Sequence, residues 1–387
     1  MQGETTMKTA KYMHRGHSDA AEARAAVAEL YEQVAQPELA LVLFFCSSNY
    51  DLDALADEMN RRFAGVPVIG CTSAGEIGPA GYLNHSLVGV SFSAQAFTAE
   101  TGRIDALNSF EIATGRAFAE GVLERLEARQ QGGSAFGLLL IDGLSLREEP
   151  VTHALQDGLG AVPMFGGSAG DDLKFQSTWI FHEGRFHTDS AVLLLLSTPL
   201  PFRILRSQHF VADGERLVVT EVDAARRIVR EINGRSAVQE YARLVGVAPG
   251  QLTPEHFASW PVVVMIDGSD FVRSIQHANP DGSLTFFCAI DEGVVLRVAH
   301  GVDLLARMEA EFVEAERELG GIEGMLVCDC ILRNLEISRN GKKAAVGELF
   351  QRFHALGFST YGEQLGGVHI NQTLTGIAIG STGADLG

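Results

Sequence analysis

The chain has 387 residues, of which 46% are hydrophobic and 20% charged, so it is a globular protein long enough for two domains. Thirty basic against 49 acidic side chains give a net charge of -19. Nucleic acid and anionic membranes are therefore not expected partners, because both need a basic face. The apolar runs, such as residues 39–46 and 191–196, are far shorter than the roughly 20 residues of a membrane-spanning helix, and no secretory signal is visible. These features predict a cytoplasmic protein.

A strand-helix-strand unit recurs three times, after a leader over residues 1–35 that we expect to be partly flexible. The copies span residues 39–76, 135–171 and 325–363. In each copy a buried strand leads to a helix, and then to a short second strand and a loop of small residues and glycines. The first and third loops share the spacing G-x4-G-E, whereas the second is one residue shorter and ends in Asp171. Matching context in three copies predicts a repeated architecture.

The three Gly-rich loops are the candidate ligand site. Ligands of open α/β sheets lie outside the carboxyl ends of the strands, where exposed backbone N–H groups hold an anion. We therefore expect the loops to cluster, with at least two of them facing one cavity. The alternative is that the glycines only make tight turns and that the acidic residue caps the next element. The candidate ligand contacts are Gly70, Cys71, Thr72, Gly75, Glu76, Gly166, Ser168, Tyr361 and Glu363.

Between the second and third copies the pattern changes to shorter strands. A hairpin is predicted to turn at Glu183–Gly184, and an extended segment over 202–219 to break at Asp213–Gly214. Pro199 and Pro201 mark a boundary near the start of this region. Further elements are predicted at 237–244, 262–266, 284–290 and 304–319.

The predicted fold class is α/β, with repeated strand-helix-strand units, Gly-rich loops and two domains that contain mixed sheets. The first domain is expected over residues 36–200 and the second over residues 201–387.

The cysteines do not form a convincing catalytic or metal site. Cys71 lies in the first Gly loop, but no histidine base stands near it in the sequence. Cys328 and Cys330 lack the second Cys/His pair that a structural zinc needs, so buried packing is the better interpretation. We expect reduced thiols and no enzymatic activity, and we keep a thiol enzyme that uses Cys71 or Cys288 as an unlikely alternative.

His209 lies on a mostly apolar strand face and has two interpretations. A histidine in such a place is usually a packed core residue, but one imidazole in an apolar pocket is also what a haem iron needs. Phe210 would supply apolar surface beside it, and Arg203 or Arg206 could pair with a propionate. On this hypothesis His209 is the metal ligand, and His369 is its chief rival.

Five segments carry a family resemblance: residues 68–77, 229–234, 284–293, 328–333 and 357–380. They resemble the FIST family of bacterial sensory proteins, which have a FIST N and a FIST C domain. Within that family the chain is most similar to the haem-binding members that sense nitric oxide.

The resemblance implies a non-enzymatic receptor with a haem b group that senses nitric oxide. Such a receptor would regulate a histidine kinase or a cyclic-di-GMP enzyme, in biofilm or related signalling, and a homodimer is compatible with that role. The haem would be bound non-covalently, because the attachment motif C-x-x-C-H is absent. Other FIST proteins are thought to bind small ligands such as amino acids, so a small carboxylate is the alternative ligand.

Overall fold

The computed structural model describes residues 12–130, 132–266 and 268–381. It has the predicted α/β class with mixed sheets. Three units share one order: an edge strand, a helix, a central strand, one or two helices, a parallel strand, a hairpin and an antiparallel strand. We call the three units together the body.

The first two units follow one another without interruption. The first contains β1 (Met13–Ser18), α1 (Ala23–Val34), β2 (Leu39–Ser47), α2 (Leu52–Arg62), β3 (Val68–Ser73), β4 (Glu76–Gly78), β5 (Gly81–Leu83) and β6 (Leu87–Ser93). The second contains β7 (Thr98–Asp105), α3 (Ile112–Arg129), β8 (Ser134–Ile141), α4 (Glu148–Leu159), β9 (Met164–Ser168), β10 (Ile180–His182), β11 (Arg185–His187) and β12 (Ser190–Thr198).

The third unit is split by a long insertion, residues 210–301. It begins with β13 (Phe202–Ser207). The insertion contains β14 (Phe210–Asp223), β15 (Ile228–Ile232), β16 (Arg235–Ser236), α5 (Ala237–Val245), α6 (Pro254–Ser259), β17 (Val262–Ile266), β18 (Ser269–Arg273), β19 (Ile275–Ala278), β20 (Leu284–Phe286) and β21 (Val295–Gly301). The unit then resumes with α7 (Leu304–Leu319), β22 (Ile322–Cys330), α8 (Ile331–Arg339), α9 (Lys343–Arg352), β23 (Ala355–Thr360), β24 (Glu363–Leu365), β25 (Val368–Ile370) and β26 (Leu374–Gly380).

Each unit builds one sheet around its central strand. The central strands β2, β8 and β22 have a parallel neighbour on one side and an antiparallel neighbour on the other. The strands of the insertion form a separate sheet, in the order β18-β17-β21-β14-β15-β20-β19.

The hairpins exchange between units in a closed cycle. The first unit's hairpin, β4–β5, joins the sheet of the third unit at β23, and the third unit's hairpin, β24–β25, joins the second at β9. The second unit's hairpin, β10–β11, returns to the first at β3. Two of the sheets therefore contain strands from both sides of residue 200, the point that separates the second unit from the third along the chain.

Two segments differ from the sequence-based expectation. Residues 12–35, which we expected to belong to a partly flexible leader, include β1, paired with β6 over its whole length, and α1, which buries one apolar face. That face consists mostly of alanines and valines, which made the helix hard to recognise. The extended segment after residue 202 breaks at 208–209, between β13 and β14. At the predicted break, Asp213–Gly214, β14 continues, but its pairing with β21 is irregular between Ala212 and Arg216.

One glycine recurs at the same place in all three parallel strands because the backbone of the central strand lies against it. A Cβ atom at Gly70, Gly166 or Gly357 would lie 2.4, 2.2 or 1.7 Å from a carbonyl oxygen of β2, β8 or β22. No side chain fits there, so the repeated glycines belong to sheet packing.

No helix in the described part of the chain is long and apolar enough to span a membrane.

Candidate functional site

The three Gly-rich loops, which follow the parallel strands β3, β9 and β23, meet at the centre of the body. Backbone hydrogen bonds join each loop to the other units, and three equivalent ones form a cycle. They run from the amides of Ala74, Gly170 and Tyr361 to the carbonyl oxygens of Ser359, Thr72 and Ser168, at 3.0, 3.0 and 3.1 Å. The loops therefore cluster as their repeated spacing predicts.

Two of the loops carry a buried glutamate at the same position. Glu363 accepts hydrogen bonds from the Thr360 hydroxyl and from the amide and hydroxyl of Thr373, and Glu76 accepts from two serines in the same way. Burial raises the pKa of Glu363 to about 8 and that of Glu76 to about 7, against the opposing effect of these hydrogen bonds. Both carboxyl groups can therefore carry a proton near neutral pH.

The second unit has no acid at this position. Ile180 pairs with β3 where the two glutamates pair with the other units. The hydroxyl of Ser190, the counterpart of Thr373, is buried without a hydrogen-bond partner among the residues that the structure describes. The three units thus share one backbone arrangement, but only the first and third have a buried glutamate with its hydrogen-bond donors.

Most of the loop residues proposed as ligand contacts lie inside the protein. Cys71, Thr72, Glu76, Ser168 and Glu363 are fully buried. Burial also raises the pKa of the Cys71 thiol, which opposes its use as a nucleophile. Among the nine loop candidates, only Tyr361 lines the cavity described next. The expectation that two loops face one cavity is therefore not met, because the loops pack against each other.

A cavity of about 430 Å³ lies between the body and the insertion. Its walls are mostly apolar, and four of its large apolar side chains are unusually exposed. These are Leu146, Leu173, Phe175 and Leu335, with exposed fractions of 54%, 39%, 48% and 46%. Phe286 and Phe287 line the cavity from the insertion. Apolar surface of this kind at a concave site is typical of a small-molecule pocket.

Two adjacent arginines of the insertion bring positive charge to this cavity. The guanidinium of Arg227 contacts the carboxylates of Glu148 and Glu149 at 2.6 and 2.7 Å, and this clamp ties the insertion to α4. Arg226 also lines the cavity and is exposed, and its side chain has no hydrogen bond or ion pair with any part of the chain that the structure describes. Arg226 is thus a cation available to a ligand.

Residues 171–177, which we call the strap, form one wall of the cavity. The buried carboxylate of Asp171 accepts hydrogen bonds from the backbone amide of Phe175, at 2.8 Å, and from the hydroxyl of Tyr361. The rings of Phe175 and Tyr361 stack, with centroids 4.6 Å apart and an interplanar angle of 16°. One carboxylate therefore holds both the backbone of Phe175 and the hydroxyl of Tyr361.

The strap is also attached to the first unit. Asp172 accepts the hydroxyl of Ser47 at 2.8 Å and the amide of Ser48 at 3.1 Å. Asp172 and Leu173 both adopt positive φ, 56° and 64°, which is uncommon outside glycine. The strap is thus held in a demanding backbone conformation, with Leu173 on the cavity side.

Two family models together cover most of the chain. The FIST N domain matches residues 40–235, and the FIST C domain matches residues 237–365. The chain belongs to the FIST family. The protein therefore carries sensory signalling domains of a kind that binds small ligands. The two matched regions meet within the insertion. No curated protein matches the chain.

Membership of the FIST family does not decide whether the protein binds haem, as the resemblance implied. In this conformation His209 is not placed to ligate a haem iron. Its side chain is fully buried. Nδ1 lies 3.2 Å from a guanidinium nitrogen of Arg333, and Nε2 lies 3.1 Å from a carboxylate oxygen of Glu336. Arg333 can only donate, so the proton of the ring lies on Nε2 and points to Glu336. Neither nitrogen is free for a metal.

The other residues proposed for the haem site do not form a pocket around His209 either. Arg203 forms ion pairs with Glu311 at 3.2 Å and Glu318 at 3.0 Å, rather than facing an open pocket. Phe210 lines a separate cavity of about 400 Å³, which His209 does not line. The rival His369 is buried, and burial lowers its pKa to about 4. Haem binding stays a prediction of the resemblance.

The residues that line the cavity between the body and the insertion gave little signal in the sequence. Arg226 and Arg227 are visible as a basic pair. The sequence does not show, however, that Arg227 forms ion pairs while Arg226 has none. Glu148 and Phe175 lie in segments without a recognisable motif. The Gly loops pointed toward this region through Tyr361, and the segments 284–293 and 328–333, which resemble the FIST family, also supply lining residues.

Proposed function

We propose that this FIST protein is a sensor that binds a small carboxylate in the cavity between the body and the insertion. The observation that carries the proposal is the unpaired guanidinium of Arg226 beside a largely apolar, partly open pocket. A carboxylate pairs with a guanidinium through charge-assisted hydrogen bonds. The apolar part of the ligand would cover side chains that are now exposed to solvent.

The position of the cavity supports a role in signalling. Its walls come from both the body and the insertion, and the Arg227 clamp that joins these two parts lines the same cavity. A ligand that contacts both sides changes the relative free energy of their arrangements. The output would go to a histidine kinase or a cyclic-di-GMP enzyme, as the family resemblance implies. Receptor function without catalysis is part of the proposal, in keeping with the buried thiols.

Replacing Arg226 by glutamine should weaken the binding of phenylacetate about tenfold, because a hydrogen bond to a charged group contributes roughly 1.5 kcal/mol. Isothermal titration calorimetry measures the effect. The uncharged analogue phenylacetamide should bind the wild type and the variant equally. The matched control is Arg230→Gln, since Arg230 is exposed and belongs to the neighbouring strand, but faces Glu221 at 3.7 Å and does not line the cavity.

Equal weakening by both arginine substitutions would contradict the proposal, since it would show only an effect of net charge. Haem remains a separate hypothesis with its own test, the absorption spectrum of protein purified from haem-supplemented cells. A Soret band that His209→Ala abolishes would support it, and would require His209 to leave both Arg333 and Glu336.

A further inference from the structure

Phe175 is exposed in an unusual way for a large aromatic residue. Its exposed fraction is 48%, although one face of the ring is covered by Tyr361. The ring lines the cavity, so the uncovered side of Phe175 is available to a ligand. An aromatic side chain that stays half exposed while held in place is typical of a binding surface rather than of a core.

The stacked pair is built to be rigid. Asp171 is 1% exposed and accepts hydrogen bonds from the Phe175 amide and the Tyr361 hydroxyl. It also accepts hydrogen bonds from the amides of Gln176 and Ser177 at 2.7 and 3.0 Å, which holds the backbone that follows Phe175. Binding to a surface that is already ordered costs less conformational entropy than ordering a mobile loop.

We infer that Phe175 is a specificity-determining residue whose ring serves as a platform for a planar aromatic group of the ligand. The inference rests on the proposed function and makes it narrower: the ligand is an aromatic carboxylate, with its ring on Phe175 and its carboxylate at Arg226. The two contacts come from the body and from the insertion, so such a ligand bridges them. A cavity of about 430 Å³ holds a single-ring acid with room to spare.

The platform also connects the ligand to the centre of the body. Tyr361 stacks under Phe175, and its backbone amide donates to the carbonyl oxygen of Ser168 in the cycle of loops. A ring that presses on Phe175 therefore acts on the segment where the three units meet. Phe175 itself has a positive φ of 52°, so the position of its ring depends on the strap keeping this conformation.

The test compares phenylacetate with cyclohexylacetate, which carries the same carboxylate on a saturated ring. Simple apolar burial favours the saturated ring or is neutral. Stacking on an aromatic face favours the planar ring by about 0.5 to 1.5 kcal/mol, or roughly 2- to 12-fold. We expect calorimetry to show that preference in the wild type. Phe175→Leu should abolish it, while Leu173→Ala, also on the strap, should weaken both acids equally.

The outcomes separate this inference from the proposed function. If the wild type binds both acids equally and Arg226→Gln weakens both, the carboxylate site stands and the aromatic platform is wrong. If Phe175→Leu keeps the preference for phenylacetate, the platform is assigned to the wrong residue and the inference fails. If neither acid binds, both proposals are contradicted. Thermal melting of Phe175→Leu checks that the exposed substitution leaves the fold intact.

Discussion

Replacing Asp329 by asparagine is expected to lower the free energy of unfolding by about 3 to 5 kcal/mol. Asp329 and Arg333 are both fully buried, and their charged groups lie 2.7 Å apart. Asparagine keeps the shape but leaves the guanidinium without its nearest carboxylate in a place that water does not reach. It also removes the charged acceptor of the Tyr82 hydroxyl. Urea unfolding at neutral pH measures the loss.

The double variant Asp329→Asn with Arg333→Met provides the sharper comparison. Removing both charges avoids the unpaired guanidinium, so the double variant should be more stable than Asp329→Asn alone. Glu309→Gln is the exposed control: its ion pair with Arg352, at 3.1 Å, is about half exposed on both sides and should contribute less than about 1 kcal/mol. A single variant as stable as the control would contradict the assignment of a buried ion pair.

Glu363→Gln should change how stability depends on pH. Burial raises the pKa of native Glu363 to about 8 from an ordinary value of 4.5. Native protein therefore keeps a proton that the unfolded chain releases, and the free energy of unfolding falls as pH rises through this window. At roughly 1.4 kcal/mol per pKa unit, this group alone removes about 3 kcal/mol between pH 5 and pH 8. Glutamine does not titrate and should flatten that slope.

The comparison uses unfolding by urea at several pH values. Glu76→Gln should act in the same direction with a smaller effect, because the pKa of Glu76 is raised only to about 7. Stability profiles of wild type and Glu363→Gln that run parallel from pH 5 to pH 8 would show that Glu363 is ionised in the native protein.

The repeated units could be predicted from the sequence because each is marked locally. Each parallel strand has as its third residue a glycine that close packing requires, and α7 occupies the predicted residues 304–319. The hairpin turn at Glu183–Gly184 also lies where it was expected. The exchange of hairpins between units could not be predicted, because a short strand such as β4 carries no information about which unit it will join.

The candidate site was predicted only in part, for a physical reason. Small residues and glycines after a strand indicate close backbone approach, and here the approaching group is another strand rather than a ligand. His209 shows the same ambiguity: an apolar strand face predicts burial, but not whether the ring meets iron or Arg333. The cavity depends on Arg226 and Phe175, which long-range folding brings to one place from separate units.

Hydrogen exchange with and without phenylacetate tests the central claim most directly, since it shows where on the molecule the ligand acts. We predict that exchange slows in the strap, residues 171–177, and in residues 143–148, 226–227 and 331–335, which all border the cavity. Binding by calorimetry without slower exchange in these segments, or with slower exchange around His209 instead, would contradict the account.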